Sequence, residues 1–305
     1  MKEQDFLASQ TAALSRNGVE FERRFIDVPI VNGSAQVLVS GDGPPAILLN
    51  GIGTPAAMWA PLMGQLDGLT LYAVDLPGYG LTSSTPALTQ DMRTTAIAFL
   101  GQILERLELN QPAIIANSLG SNWASWFALD QPQRVAALVH VGCPALILGT
   151  SAPLPMRLLS KRGLGWLMMR IQPPSPRQVE KLSRMVNEYP LPQEIADLLL
   201  ATERLPFFEP TFLAMLNALI RLRGARPEMA LSRERLKQIT TPSLLIFARS
   251  DPFGGIEVGR EAADAMPDAK LHIVDGGHTP WIHNAEKIAP LIIDFLGSRS
   301  TQSLT

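Results

Sequence analysis

The amino-acid sequence predicts an α/β fold with a mostly parallel eight-stranded sheet, helices on both faces of the sheet and an inserted helical lid. Short apolar runs alternate with longer runs of helical periodicity, which is the pattern of strands joined by helices. Between Pro144 and Thr240 the alternation stops, and prolines punctuate helical runs instead. We therefore expect a first core part at residues 1–143, a helical lid at 144–240 and a second core part at 241–305.

Residues 21–30 and 35–40 form an opening hairpin, because the turn residues "VNGS" separate two strand-like runs. The later strands and helices follow from apolar runs bounded by turn residues and from helical spacing of apolar residues. The expected strands are 44–51, 69–78, 112–117, 134–142, 242–250 and 269–276, and the expected core helices include 58–66, 92–109, 119–131 and 280–297.

Composition narrows the class of partner. The chain has 305 residues, 46% of them hydrophobic and 18% charged, and a net charge of -2, which disfavours both disorder and nucleic-acid binding. A small molecule is therefore the expected partner.

The sequence also bears on the location of the protein. The first twenty residues lack a secretory apolar region, no stretch has the roughly 18 apolar residues of a spanning helix, and Cys143 has no possible internal disulfide partner. These features favour a cytoplasmic protein and leave its oligomeric state open.

The predicted lid has a distinctive composition. Its 14 Lys and Arg against 8 Asp and Glu give it a charge of +6, which we attribute to solvated helix faces. Contact with a membrane is not expected, because no lipidation signal or aromatic belt accompanies the cations. The predicted lid also contains six of the eleven methionines: 156, 168, 169, 185, 215 and 229. Their flexible thioethers suit irregular apolar ligands, although packing in an ordinary helical core is the alternative.

The stretch "AIIANSLGSNW", residues 113–123, places Ser118 between a predicted strand and a predicted helix. A tight strand-to-helix turn exposes a nucleophilic hydroxyl, and small neighbours are needed because the turn is strained. Residues 116–120 match the G-x-S-x-G pattern with Ala116 in the first position. By itself this match is also compatible with a helix-capping serine.

Two further residues complete a catalytic set in the order serine, acid, histidine. Asp251 in "RSDPFGG" and His278 in "VDGGHTPW" each follow a predicted strand, where ligands are met in open α/β sheets. Acyl transfer also needs backbone donors for an oxyanion, and the candidates are the N–H groups of Leu119 and Ile52. The sequence lacks G-x-G-x-x-G and a P-loop lysine, so we expect no cofactor, and no metal site is expected either.

Taken together, these motifs resemble the α/β-hydrolase superfamily, in the lidded subgroup that includes esterases, lactonases and C–C bond hydrolases. The resemblance covers roughly residues 20 to 298 and rests on "LLNGIGT", "DLPGYGLTS", "ANSLGS", "SDPFGG" and "GGHTPW". It implies the α/β-hydrolase fold, with Ser118 as nucleophile, His278 as base and then acid, and Asp251 as the group that orients the ring. The chain departs from the usual pattern at Asn50, where many members have histidine, and at Ala116.

The resemblance implies a serine hydrolase that cleaves a small apolar carboxylic ester through an acyl-enzyme. One alternative is cleavage of a C–C bond in a vinylogous diketone acid, which calls for a basic residue such as Arg157 or Arg162 near the serine. A second alternative is a ligand-binding, receptor-like protein with little turnover. The weaker candidates for lining a substrate pocket, for which core packing is the alternative, are Asn117, Met58, Trp59 and Trp123.

Overall fold

The computed structural model describes residues 1–300 of the chain. Its main feature is an eight-stranded sheet in the order β1-β2-β4-β3-β5-β6-β9-β10, which confirms the predicted fold class. β1 and β4 are antiparallel to β2, and all other neighbours are parallel. The strands are β1 (Glu22–Val28), β2 (Gly33–Ser40), β3 (Pro45–Leu49), β4 (Thr70–Val74), β5 (Ala113–Ala116), β6 (Ala137–Val141), β7 (Ile220–Arg221), β8 (Gly224–Ala225), β9 (Ser243–Ala248) and β10 (Ala269–Val274).

Helices connect and surround the strands. Every residue of β5, β6 and β9 is buried, because the layers around the sheet cover both sides of its central strands. The helices are α1 (Lys2–Arg16), α2 (Ala60–Met63), α3 (Ala87–Gln90), α4 (Met92–Arg106), α5 (Ser118–Asp130), α6 (Leu154–Leu159), α7 (Leu164–Ile171), α8 (Pro176–Met185), α9 (Gln193–Glu203), α10 (Phe208–Leu219), α11 (Arg233–Leu236), α12 (Ile256–Ala265) and α13 (Trp281–Ser300).

Three elements differ from the sequence prediction. α1 was not anticipated; it buries Phe6 and Leu14 and packs against α2 and α9. In place of the helix expected at 58–66, the structure has a 3-10 turn followed by the single helical turn of α2. Gly64 follows α2, and a side chain at this position would meet the Asn17 carbonyl. α13 is interrupted at Asn284, whose φ of -132° is not helical.

Residues 144–240, called the helical segment below, connect β6 to β9. They contain α6 to α11 and the two-residue strands β7 and β8, which are too short to leave a sequence pattern. The division of the chain into three ranges remains a prediction, and residues 301–305 of the last range lie outside the described residues. Within residues 1–300, no helix has the length and apolar character needed to cross a membrane.

Candidate active site

The carboxyl end of β5 positions Ser118. Asn117 is extended and its N–H donates to the Leu49 carbonyl at 2.9 Å, then Ser118 turns into α5 with φ of 51°, a left-handed value unusual outside glycine. Gly120 donates to the Asn50 carbonyl at 3.0 Å, and a Cβ at Gly120 would lie only 2.5 Å from the Leu49 oxygen. The strained turn therefore needs this glycine, and it presents the Ser118 side chain at the end of the sheet.

The loops after β9 and β10 bring Asp251 and His278 together. The Nδ1 atom of His278 lies 2.9 Å from Oδ2 and 3.0 Å from Oδ1 of Asp251, and both side chains are buried. The carboxylate is itself held by the N–H groups of Cys143 and Phe253, each at 2.9 Å. The Phe253 ring stacks on the imidazole with centroids 4.0 Å apart. The ring of His278 is thus fixed in position and in orientation.

The second ring nitrogen of His278 remains free. Since the carboxylate occupies Nδ1, Nε2 is the atom left to exchange a proton. Nε2 is buried and has no hydrogen-bond partner among the described residues. His278 and Ser118 line the same cavity, although no hydrogen bond joins Nε2 to the serine hydroxyl. Such contacts are often long in the absence of substrate.

Asn117 links the serine turn to the histidine loop. Its Nδ2 atom donates to the Val141 carbonyl at 2.7 Å and to the His278 carbonyl at 3.0 Å. The side chain also lines the cavity. Asn117 was expected only as a pocket residue, and the structure shows that it also fixes the relative positions of two neighbouring loops.

Glu188, in the helical segment, holds the same histidine loop from the other side. Its Oε1 atom accepts from the N–H groups of Gly277 at 2.8 Å and Thr279 at 3.1 Å, on either side of His278. Burial raises the pKa of Glu188 from 4.5 to about 7, although the two N–H groups and His278 favour the ionised form. Sequence reasoning missed this residue because "NEYP" matches no motif and the contact spans 89 positions.

Two backbone donors lie beside the serine turn. Neither the Ile52 N–H nor the Leu119 N–H donates to any group in the described part of the chain. Ile52 and Gly51 line the cavity with Ser118, and a Cβ at Gly51 would be 3.1 Å from the serine Cβ. Leu119 is the second residue of α5, directly after the serine, and is fully buried. Both N–H groups are therefore free to donate a hydrogen bond to a ligand oxygen.

The cavity itself has a volume of about 380 Å³ and is mostly apolar. Four of the six methionines of the helical segment line it, together with the predicted residue Met58. Of the side chains lining it within residues 1–300, the basic ones are Lys181 and His278 and the acidic ones are Glu188 and Glu203. Burial raises the pKa of Glu203 from 4.5 to about 7. The methionines are Met156, Met168, Met169 and Met185.

Four candidate residues lie away from the cavity lining. The pocket interpretation of Trp59 and Trp123 is corrected, because Trp59 stacks on Trp281 at 4.0 Å and Trp123 packs edge-on against Phe99 at 6.1 Å, all in the core. Arg157 and Arg162 do not line the cavity either. The Arg157 guanidinium instead donates to the Leu222 carbonyl at 3.4 Å.

Comparison with known proteins gives consistent results. The model of a family described as the alpha/beta hydrolase fold matches residues 44–285. A 2-hydroxy-6-oxononadienedioate/2-hydroxy-6-oxononatrienedioate hydrolase from Cupriavidus pinatubonensis is 29% identical over 83% of this chain and 86% of its own length. Carboxylesterase CesB from Bacillus subtilis superimposes with a TM-score of 0.77 at 20% identity, covering 97% of this chain and 98% of its own. A 2-hydroxy-6-oxo-6-phenylhexa-2,4-dienoate hydrolase from Rhodococcus gives 0.73 at 19% identity, covering 91% and 99%.

Proposed function

The chain belongs to the α/β-hydrolase fold family, and from that premise we propose that it is a serine hydrolase that cleaves small apolar carboxylic esters. The observation that carries the proposal is the His278–Asp251 pair, because His278 lines the same cavity as Ser118 and its Nε2 has no hydrogen-bond partner among the described residues. A hydroxyl on a strained turn, an oriented imidazole and two free N–H groups are the groups that acyl transfer requires.

In the proposed reaction, His278 Nε2 takes the proton of the Ser118 hydroxyl as the oxygen attacks the ester carbonyl carbon. The carbonyl oxygen becomes negative and is held by the Ile52 and Leu119 N–H groups. The intermediate collapses to an acyl-serine, and the imidazolium returns its proton to the departing alkoxide. Water then attacks the acyl-serine with His278 as base, which releases the carboxylic acid and restores the serine. Asp251 orients the ring and stabilises its protonated form throughout.

The lining of the cavity supports an apolar acyl or alcohol group. Methionine and phenylalanine side chains, among them Met168, Met169 and Phe212, line it, and the flexible thioethers adapt to ligands of different shape. The side chains of Glu188 and Glu203 also face it, and both carboxylates repel an anionic ligand once they ionise. An uncharged ester is therefore the substrate class that this cavity suits best.

The alternative function is C–C bond hydrolysis, which is favoured by the names of the sequence relatives. Their substrates, as named, are dicarboxylates, so a cation near the serine would be needed to bind a carboxylate group. Lys181 is the candidate in this cavity, and its Nζ atom already donates to Gln172 at 2.9 Å. Turnover of a ring-fission dienone acid that exceeds turnover of every ester, and is lost in Lys181→Ala, would establish the alternative.

The decisive experiment compares wild-type protein with Ser118→Ala on p-nitrophenyl acetate, butyrate and hexanoate. We expect kcat/KM to fall by about a thousandfold or more, because the nucleophile is lost while the cavity is kept. Ser121→Ala is the matched control, since Ser121 is buried in the same helix, does not line the cavity and has an unpaired hydroxyl. Turnover that is equal in wild type and Ser118→Ala would end the proposal. Tight binding of an ester analogue without turnover in wild type would favour the receptor-like alternative.

A further inference from the structure

Both faces of α7 are apolar, but one faces the cavity and the other faces solvent. One face carries Met168 and Met169, which line the cavity, and Gly165, which is buried against α6. The opposite face points to solvent, and its apolar side chains keep large exposed fractions. These are Leu164 at 38%, Trp166 at 52%, Leu167 at 47% and Ile171 at 68%. An exposed apolar helix face of this kind marks an interaction surface.

The surroundings of α7 are exclusively cationic in sequence. No Asp or Glu occurs from Gln131 to Val179. Arg170 lies on the exposed face, with its guanidinium 5.2 Å from the centre of the Trp166 ring. Within the described residues, five of the cations of this stretch make no ion pair: Arg157, Lys161, Arg162, Arg170 and Arg177.

We infer that α7 docks on the surface of an anionic phospholipid bilayer, with its apolar side chains between the lipid headgroups and its flanking cations on the phosphates. Helices with an apolar face and flanking Lys and Arg bind in this way at membrane interfaces. A second copy of the chain fits the face less well, because a two-fold contact would set the same cations against each other. The sequence alone led us to expect no contact with a membrane, because it could not show that the apolar face of α7 lies in solvent.

Docking through α7 has a consequence for the cavity. The helix is one wall of the cavity on its inner side, so the bound protein holds the cavity within one helix diameter, about 10 Å, of the lipid phase. Apolar molecules dissolved in the bilayer would thereby be concentrated near Ser118. The docking itself does not depend on the proposed hydrolysis, and it is tested by binding measurements alone.

The first test uses the tryptophans as built-in reporters. Trp166 is the exposed one, whereas the other four are buried: Trp59, Trp123, Trp126 and Trp281. Vesicles of phosphatidylcholine mixed equally with phosphatidylglycerol should shift the emission to shorter wavelength, and pure phosphatidylcholine vesicles should do so much less. Trp166→Phe should abolish the shift while flotation with the vesicles persists. The shift should weaken as the salt concentration rises from about 0.1 M to about 1 M, because salt screens the attraction between the flanking cations and the lipid phosphates.

The second test removes the apolar face. Leu167→Glu/Ile171→Glu should lower the partition coefficient for the anionic vesicles by about tenfold or more, since two apolar side chains no longer enter the interface. Phe25→Glu is the matched control, because Phe25 is equally exposed but lies on β1. Both variants should hydrolyse a soluble short-chain ester at the wild-type rate, and vesicle binding should be the same in Ser118→Ala.

Three results would overturn the inference: no flotation with anionic vesicles, equal flotation of the double variant and wild type, or a concentration-dependent dimer that the double variant abolishes without any vesicle binding. Failure of the proposed hydrolysis would instead show itself in the ester assay and leave the vesicle measurements unchanged.

Discussion

Glu188 provides the sharpest quantitative test of the site, because its carboxyl group holds the loop that carries His278. In Glu188→Ala, the buried N–H groups of Gly277 and Thr279 lose their acceptor. Each orphaned buried donor costs about 1–3 kcal/mol, so we expect the free energy of unfolding to fall by roughly 2–6 kcal/mol. The histidine loop should also shift, and a displacement of about 1 Å can lower kcat by about a hundredfold.

Glu188→Gln separates the hydrogen bonds from the charge. The amide oxygen still accepts from both N–H groups, but the side chain no longer ionises. Because burial raises the pKa of Glu188 from 4.5 to about 7, its stabilising contribution is fully present below pH 4.5 and is lost as the pH rises to about 7. The full shift is worth about 3 kcal/mol. The glutamine variant should therefore exceed wild type in stability by less than about 1 kcal/mol at pH 5 and by up to about 3 kcal/mol at pH 8.

Urea unfolding at pH 5, 6.5 and 8, with kcat measured in parallel, tests both variants. Asp75 and Glu203 have pKa values raised to about 7 by burial as well, so wild type and Glu188→Gln should both lose stability with rising pH, and the difference between them isolates Glu188. Glu180→Gln is the control, because Glu180 is an exposed glutamate of the same helical segment. An alanine variant as stable and active as wild type, or a glutamine variant with the wild-type pH slope, would refute the reasoning.

Three further predictions concern the acid, the serine turn and the cavity. Asp251→Asn should lower kcat by about a thousandfold to ten-thousandfold with little change in KM, because the imidazole loses the partner that fixes its orientation; a loss under tenfold in ester turnover would contradict that role. Gly120→Ala should lower the free energy of unfolding by about 1–3 kcal/mol, since its Cβ would meet the Leu49 carbonyl oxygen, whereas Gly255→Ala, with no atom within 4 Å of its Cβ, should leave thermal unfolding unchanged. Equal melting temperatures for the two variants would show that the turn tolerates the methyl group. Glu203 is neutral below about pH 7, so the Kd of an uncharged ketone analogue should rise above that pH in wild type and rise less in Glu203→Gln, where only Glu188 still ionises in the cavity; identical pH profiles in titration calorimetry would disprove this.

The sequence alone indicated the layout of the core and the identity of the main polar groups. Apolar runs of four to six residues predicted the central strands, because a strand covered on both sides has no polar face. The serine turn was recognisable because its strained backbone and close packing restrict which residues fit, as Gly120 demonstrates. Asp251 and His278 were predicted because each lies just past a predicted strand.

Only the tertiary structure decided which side chains meet across the chain. Glu188 and the histidine loop are 89 positions apart, and Trp59 and Trp123 pack in the core although their sequence context suited a pocket equally well. The exposed face of α7 was equally hidden, because an apolar residue on a helix has the same sequence pattern whether it faces a cavity, a core or solvent. Backbone requirements are local and leave a pattern in the chain, whereas burial and long-range hydrogen bonds depend on how separate elements pack.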